Sequence, residues 1–154
     1  MIPNPFRRLN TPRRSYMPFY STETIENVQL RTGNPGEYKP LAGEFMKAGV
    51  VTYRRGTGSK PHWHEDEEQY IYVIEGKRYM RLGDEERIIG PGDIVHIPRG
   101  TLHGGRTLTE KAVMFVAKSP AEDPDLGADH HYPGDLQDII KHLDTKAEEL
   151  YGKV

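Results

Sequence analysis

The stretch His62–Gly76, "HWHEDEEQYIYVIEG", joins two histidines to a strongly β-forming run. Its second half, Gln69–Ile74, consists of tyrosines and β-branched residues after a single glutamine, and such residues favour strands. Side chains two apart on a strand point the same way, so His62 and His64 would face one side together. Neutral imidazoles are good ligands for divalent transition metals. The stretch therefore predicts β structure with a candidate metal site.

The β pattern continues on both sides of this stretch. Glycine and proline interrupt it at intervals of roughly ten residues, which is typical of an all-β sandwich or barrel. A Gly83-Asp84 pair marks a hairpin turn within one of the segments. The further predicted strands lie in Phe45–Arg55, Lys77–Ile89, Gly92–Pro98 and Lys111–Lys118.

The strand after the histidines is largely apolar on both faces, which predicts burial of both. One face would line a barrel, and the other would pack on a second sheet or on another subunit. The second possibility predicts a homodimer. The two faces carry Gln69, Ile71 and Val73 on one side and Tyr70, Tyr72 and Ile74 on the other.

The chain divides into three parts. Residues 1–22 are rich in proline and arginine and predict an arm, either loosely ordered or docked on the barrel or a partner subunit. Residues 23–118 hold the predicted barrel. Residues 119–154 comprise a long loop and a helix, for which Asp135 is the expected N-cap and whose apolar stripe would pack on the barrel.

The composition limits the classes of function. The 154 residues suffice for one compact domain and not for two ordinary ones. The formal net charge of -2 does not indicate binding to nucleic acid or to an anionic membrane, and there is no run of about 18 apolar residues. The chain has no cysteine, which excludes disulfides and thiolate chemistry and fits a cytoplasmic location.

Two spaced motifs lie within residues 56–103, and fifteen residues separate the first from the second. Their fixed positions are Gly56, His62, His64, Gln69 and Gly76 in the first, and Gly92, Pro98, Gly100 and His103 in the second. This pair resembles the two conserved motifs of the cupin superfamily. The resemblance implies an all-β fold, a double-stranded β-barrel of the jelly-roll type, often dimeric, here with a C-terminal α-helix.

The resemblance also implies a metal site. The family's ligand positions fall on His62, His64, Gln69 and His103, for one divalent ion such as Ni, Zn, Fe or Mn. Two departures from the family pattern are Gln69, where a glutamate is usual, and Thr107, where an asparagine is usual. Gln69 fits the spacing better than Glu68, because Gly76 follows it by seven residues and neighbouring strand residues face opposite sides.

Three interpretations of these positions remain open. Some cupin branches, notably the ketonising enzymes that act on unsaturated uronates, resemble this chain in using three histidines and a glutamine. Gln69 could instead only hydrogen-bond a ligand, which would leave a three-histidine site. The barrel could also bind small molecules without a metal.

A glutamine ligand changes the expected chemistry. A carboxylate would leave a divalent site with formal charge +1, whereas an amide leaves it at +2 and makes the ion a stronger Lewis acid. Gln69 cannot serve as a general base, so a base must come from elsewhere. These points favour proton transfer over redox work, although neutral three-histidine sites can hold Fe(II).

Three residues are candidates for catalysis. His96 lies on the strand before Pro98 and could be the base or a hydrogen-bonded structural histidine. Tyr72 and Arg81 would matter if they lie near the barrel mouth or interior, where Arg81 could clamp a carboxylate, and are surface residues if they point outward. The segment Asp129–His131 is either a lid over the barrel or an exposed loop, of which the exposed loop is the simpler interpretation.

The sequence thus predicts a mononuclear metal enzyme that acts on a small oxygenated substrate, either carbohydrate-derived or an enol or ketone. The favoured chemistry is that of an isomerase, tautomerase, cyclase or lyase through a metal-bound enolate. Two alternatives are an Fe(II) dioxygenase that cleaves a carbon–carbon bond and a non-catalytic barrel that binds small molecules.

Overall fold

The computed structural model describes residues 19–121, 126 and 128–154. The arm predicted over residues 1–22 falls mostly outside these residues. The described residues form eight strands and one helix: β1 (Glu37–Ala42), β2 (Lys47–Arg54), β3 (Glu68–Glu75), β4 (Arg78–Leu82), β5 (Glu85–Ile89), β6 (Ile94–Ile97), β7 (His103–Thr107), β8 (Lys111–Ser119) and α1 (Leu136–Leu150).

The strands make two antiparallel sheets, which confirms the predicted all-β architecture. One sheet has the order β1-β2-β8-β3-β6, and the other has the order β5-β4-β7. Side chains from both sheets fill the space between them, including Tyr53, Ile71, Val73, Met80 and Met114. The candidate site lies inside this barrel because the inward residues of β3, β4 and β8 face one another.

The alternation of side chains along β3 directs Gln69 into the barrel. The inward residues Gln69, Ile71 and Val73 are 7%, 5% and 0% exposed, and every second residue between them faces out. Gly76 then turns the chain with a positive φ of 76°. A Cβ at Gly76 would lie 2.0 Å from the Lys111 carbonyl oxygen, so no other residue fits there.

The predicted hairpin is confirmed, since Leu82 pairs with Glu85 across a Gly83-Asp84 turn. Two observed strands were not predicted. β1 contains Pro40, which an edge strand tolerates: β1 is the end strand of its sheet, and on the side away from β2 the described residues form a single bridge, between Val28 and Tyr38. β7 contains Gly104 and Gly105, which lower strand propensity.

The predicted C-terminal helix is present as α1. It begins after Asp135, whose side chain makes no capping hydrogen bond, and buries Ile139, Leu143 and Ala147. It packs on β4 and β7, outside the smaller sheet. Among the described residues, no helix is long and apolar enough to span a lipid bilayer.

Candidate metal centre

Three histidines from distant parts of the chain lie side by side inside the barrel. His62 and His103 form an antiparallel bridge, in which each backbone N–H donates to the other's carbonyl at 3.0 and 2.8 Å. One ring nitrogen each from His62, His64 and His103 lies within 4.8 Å of the others. All three side chains are buried. Such a convergence of imidazoles suits a single divalent ion.

Each ring is held in one orientation by a backbone carbonyl. A carbonyl oxygen only accepts hydrogen bonds, so the Nδ1 atom facing it carries the proton and Nε2 keeps its lone pair. The Nδ1–oxygen distances are 2.6 Å for His62 to Lys60, 2.6 Å for His64 to Asp129 and 2.9 Å for His103 to Thr101. The chain therefore fixes the tautomer that a metal ligand needs.

The three imidazoles are neutral at pH 7. Burial lowers the pKa of His64 to about 4 and that of His103 to about 3. Burial, reinforced by the neighbouring histidines, also lowers the pKa of His62 well below its ordinary value. Only a neutral imidazole offers a lone pair to a metal, so these shifts favour coordination at neutral pH.

Gln69 completes the group from β3. Its Oε1 lies 3.0 Å from Nε2 of His64. Because Nδ1 of His64 holds the proton, both facing atoms are acceptors as they are placed, and a cation between them would satisfy both. Glu68 faces the opposite side of the strand, where it contacts His96 at 3.2 Å.

The three histidines and Gln69 fit a divalent ion better than a second group of possible ligands, which contains two carboxylates. Nε2 of His103 is buried and has no hydrogen-bond partner among the described residues. His64, Glu67 and Asp129 form a second group of possible ligands. There, however, Glu67 already pairs with two buried lysines, and the Asp129 carboxylate accepts hydrogen bonds from two backbone N–H groups.

The segment Asp129–His131 forms a wall of this site. His131 makes an antiparallel bridge with Trp63, with both N–H···O distances at 3.0 Å. The His130 ring stacks on the His62 ring, with centroids 3.8 Å apart and planes at 14°. Asp129 and His130 are therefore partly buried rather than exposed, whereas the His131 side chain is 42% exposed. No sequence pattern signals this placement, because the long loop before it has no regular period.

The histidines border a small cavity inside the barrel, with a volume of about 60 Å³. It is lined by apolar side chains and by His62, His103, His130, Gln69, Asn34, Arg78 and Lys118. Lys118 and Arg78 were not among the predicted site residues. The sequence contains a weak signal for Lys118: it lies two and four residues after the buried Val116 and Met114 on β8, so alternation places it on the same inward face.

Lys118 lies directly beside the glutamine. Gln69 and Lys118 are cross-strand partners on β3 and β8, and both point inward. Nζ of Lys118 lies 3.3 Å from the Glu67 carboxylate and donates to the Leu126 carbonyl at 2.5 Å. Burial lowers the pKa of this ammonium group to about 8, although Glu67 opposes the shift. A buried ammonium group with a lowered pKa therefore belongs to a residue that lines the cavity.

The structure does not bring the three candidate catalytic residues to this cavity. His96 and Tyr72 lie on the outer face of the larger sheet, where the Tyr72 residue is 45% exposed and the His96 side chain 44% exposed. Arg81 also points outward and donates to the Gly83 carbonyl at 3.0 Å. The cause is strand alternation: the inward positions of these strands belong to Gln69, Val95 and Arg78.

Comparison with known proteins indicates the family of this chain. A family model described as a cupin domain matches residues 49–117. The Pectin degradation protein KdgF of Dickeya dadantii is 30% identical over 70 residues, which cover 46% of this chain and 64% of that protein. Quercetin 2,3-dioxygenase of Bacillus subtilis is 30% identical over 94 residues, which cover 56% of this chain and 27% of that protein.

Among solved structures, KdgF from a Halomonas species superposes with a TM-score of 0.55 at 30% identity. That match covers 57% of this chain and 82% of the Halomonas protein. The chain spans less than two thirds of the length of both curated relatives above. The shared barrel and the family match nevertheless agree with the two motifs, and the chain belongs to the cupin superfamily.

Proposed function

We propose that this protein is a mononuclear metal-dependent enzyme that acts on a small oxygenated substrate. One observation carries the proposal: three buried histidines have ring nitrogens within 4.8 Å of one another, an amide oxygen lies 3.0 Å from one of these nitrogens, and a buried lysine is the cross-strand neighbour of that amide. His62, His64, His103 and Gln69 would hold the ion. Bound there, a divalent ion would keep its full formal charge and polarise a substrate oxygen.

The residues of the chain supply orientation and proton transfer. The Lys60, Asp129 and Thr101 carbonyls hold the histidine rings in place. Lys118 is the group we assign to proton transfer, since this residue lines the cavity beside Gln69 and its pKa of about 8 would let it accept or donate a proton near neutrality.

The favoured reaction is isomerisation, tautomerisation, cyclisation or elimination without oxygen. A neutral ligand set does not stabilise the ferric state, which disfavours redox cycling. The two similar proteins named KdgF, one of them called a pectin degradation protein, support a carbohydrate-derived substrate. An enol or ketone that presents an oxygen to the ion fits the same site.

A second candidate is an Fe(II) dioxygenase that cleaves a carbon–carbon bond. It is favoured by the similarity to quercetin 2,3-dioxygenase, although the chain spans only 27% of that enzyme. A neutral three-histidine site can hold Fe(II), and the same cavity could admit an enol or a diketone.

Elemental analysis of protein purified without added metal, followed by anaerobic assays with the metal found, tests the proposal. The assay panel contains unsaturated uronates, enols and diketones. Turnover without oxygen supports the favoured reaction, and turnover that requires Fe(II) and consumes oxygen supports the dioxygenase. A ligand-induced thermal shift without turnover under either condition would indicate a barrel that only binds small molecules.

We also propose that the protein forms a homodimer through the outer face of β3, β6 and β8. This face exposes large apolar side chains in register, namely Tyr70, Tyr72, Ile74, Ile94 and Phe115, each at least 43% exposed. A contiguous apolar patch of this kind is typical of subunit interfaces. Light scattering after size exclusion should give the dimer mass, and a Tyr72→Glu variant should run as a monomer. A wild-type monomer at micromolar concentration would contradict the proposal.

A further inference from the structure

Arg78 is a buried cation inside the barrel. The residue is 3% exposed and points into the cavity from β4. Its Nη1 donates to the Met114 sulfur at 3.2 Å, and its Cζ lies 4.8 Å from the centre of the Tyr53 ring. Its Nε and Nη2 atoms are buried and have no hydrogen-bond partner among the described residues.

The other buried cations nearby differ from Arg78 in having carboxylate partners. Arg106 donates to Asp144 at 2.5 Å, and Lys118 pairs with Glu67 at 3.3 Å. Arg78 pairs with no carboxylate of the described residues, and its charged neighbour Arg106 repels it. A guanidinium remains charged in proteins, and an unpaired buried charge is costly. Arg78, which lines the cavity, therefore keeps two donor atoms, Nε and Nη2, without a partner among the described residues.

A second residue that lines the cavity also has an unused donor. Nδ2 of Asn34 is buried without a partner among the described residues, and Asn34 is 0% exposed. The cavity that Arg78 and Asn34 line also contains His62, His103 and Gln69. Its volume of about 60 Å³ has room for a few water molecules or for one small planar group.

We propose that Arg78, assisted by Asn34, binds a carboxylate of the substrate. A guanidinium presents its N–H groups in a planar fork that matches the two oxygens of a carboxylate, and burial strengthens the attraction. The inference rests on the proposed function, because it places the reacting oxygen of the same molecule toward the histidines. The substrate class is therefore a small oxo- or hydroxycarboxylic acid. Arg78 acts as a specificity-determining residue, and Arg81, which points outward, has no part in it.

Acetate is a suitable probe, because it isolates the carboxylate from the rest of the substrate. The melting temperature of the full-length protein, as purified, is measured against sodium acetate, sodium chloride and acetamide. The wild type should show a saturable rise with acetate alone. Arg78→Met should lose this response, whereas Arg81→Met, a matched change on the same strand, should keep it. Arg78→Lys keeps the charge without the fork and should bind acetate roughly 10-fold more weakly.

Metal content, measured on every variant, separates this inference from the proposed function. We expect Arg78→Met and Arg78→Lys to retain as much metal as the wild type. A wild type that responds equally to acetate and chloride would overturn the inference, and so would an Arg78→Met protein with an undiminished acetate response. Loss of metal together with the acetate response would overturn it too, since the anion would then bind through the metal. If Arg78→Met does not fold, Arg78→Lys carries the test alone.

Discussion

The inner and outer faces of strand β3 each carry side chains that are unusual for their surroundings: a buried amide among apolar residues inside, and exposed aromatic rings outside. The inner face presents Gln69 to a cluster of buried histidines, and its neighbours there include the charged Arg78 and Lys118. The outer face exposes Tyr70 and Tyr72 at 48% and 45%. Buried polar groups cost stability unless they are paired, and exposed aromatic groups are costly in water unless a partner covers them.

This contrast indicates where each kind of function lies. Some inner polar groups lack a partner among the described residues, including Nε2 of His103 and Nε of Arg78, and these are the groups expected to contact a metal or a substrate. The outer groups are expected to contact another subunit. Two histidines illustrate the difference, since His64 is 1% exposed, whereas the His96 side chain is 44% exposed and pairs with Glu68.

The largest expected effect comes from removing an inner histidine. His64→Ala should weaken metal binding by at least about 100-fold, because a ligand and the anchor to Asp129 are lost together. His96→Ala, an outer-face control, should retain the wild-type metal content. Elemental analysis of both variants after identical dialysis measures the difference. Equal metal content in the two variants would contradict the assignment of the metal site to the inner face.

The next effect concerns the inner lysine. Lys118→Met should lower turnover by about 10²- to 10⁴-fold while metal remains bound, because the proton-transfer group is lost. The fold should persist, since Lys47 still pairs with Glu67. Lys111→Met, on the same strand but paired at the surface with Glu75, serves as the control. Steady-state rates on the substrate found in the anaerobic assay measure the effect, and unchanged turnover in Lys118→Met would refute the assignment.

Acid should destabilise the metal-free protein through the inner histidines. In the unfolded chain they take up protons below about pH 6.5, whereas burial holds the folded pKa of His64 at about 4 and that of His103 at about 3. The unfolded state therefore binds more protons in this window, and the free energy of unfolding falls as pH drops from about 6.5 to about 4. Each histidine contributes up to about 1.4 kcal/mol per pH unit.

Urea unfolding at a series of pH values, with a chelator present, measures this dependence. His64→Gln should flatten the slope, because one of the protonation sites is removed. His96→Ala should keep it, because that ring is exposed at the surface. A His64→Gln protein with the full wild-type slope would show that other groups cause the acid sensitivity.

The smallest expected effect is a shift in the pH profile of activity, which distinguishes Gln69 from its neighbour Glu68. Gln69→Glu should retain the metal and move the pH profile of activity upward by about one unit, because the added negative charge makes the ion a weaker acid. Glu68→Gln, a change on the outer face, should leave the profile in place. A profile that Gln69→Glu does not move would mean that the amide only hydrogen-bonds His64.

The sequence predicted the parts of this molecule that follow from regular spacing. The two-residue period and the seven residues to Gly76 selected Gln69 over Glu68, and the structure does turn Gln69 inward. Turn chemistry placed the Gly83-Asp84 hairpin. Strand β7 was missed because its glycines carry no β signal. They are needed for close contact: a Cβ at Gly105 would lie 2.6 Å from the Tyr79 carbonyl oxygen.

The missed site residues depend on orientation and on long-range contacts. In β4, alternation alone allows either Arg78 and Met80 or Tyr79 and Arg81 to face inward. The structure buries Met80 in the core, and Arg78 therefore faces inward with it. The stacking of His130 on His62 joins residues 68 positions apart through an irregular loop. No local pattern encodes such a contact, because loop conformation depends on the surface that the loop covers.

Anomalous diffraction from crystals of the metal-containing protein tests the central claim most directly. The account predicts one strong peak within about 2.0–2.2 Å of Nε2 of His62, His64 and His103, with Oε1 of Gln69 at a similar distance. A peak between His64, Glu67 and Asp129, or no peak near His103, would contradict it.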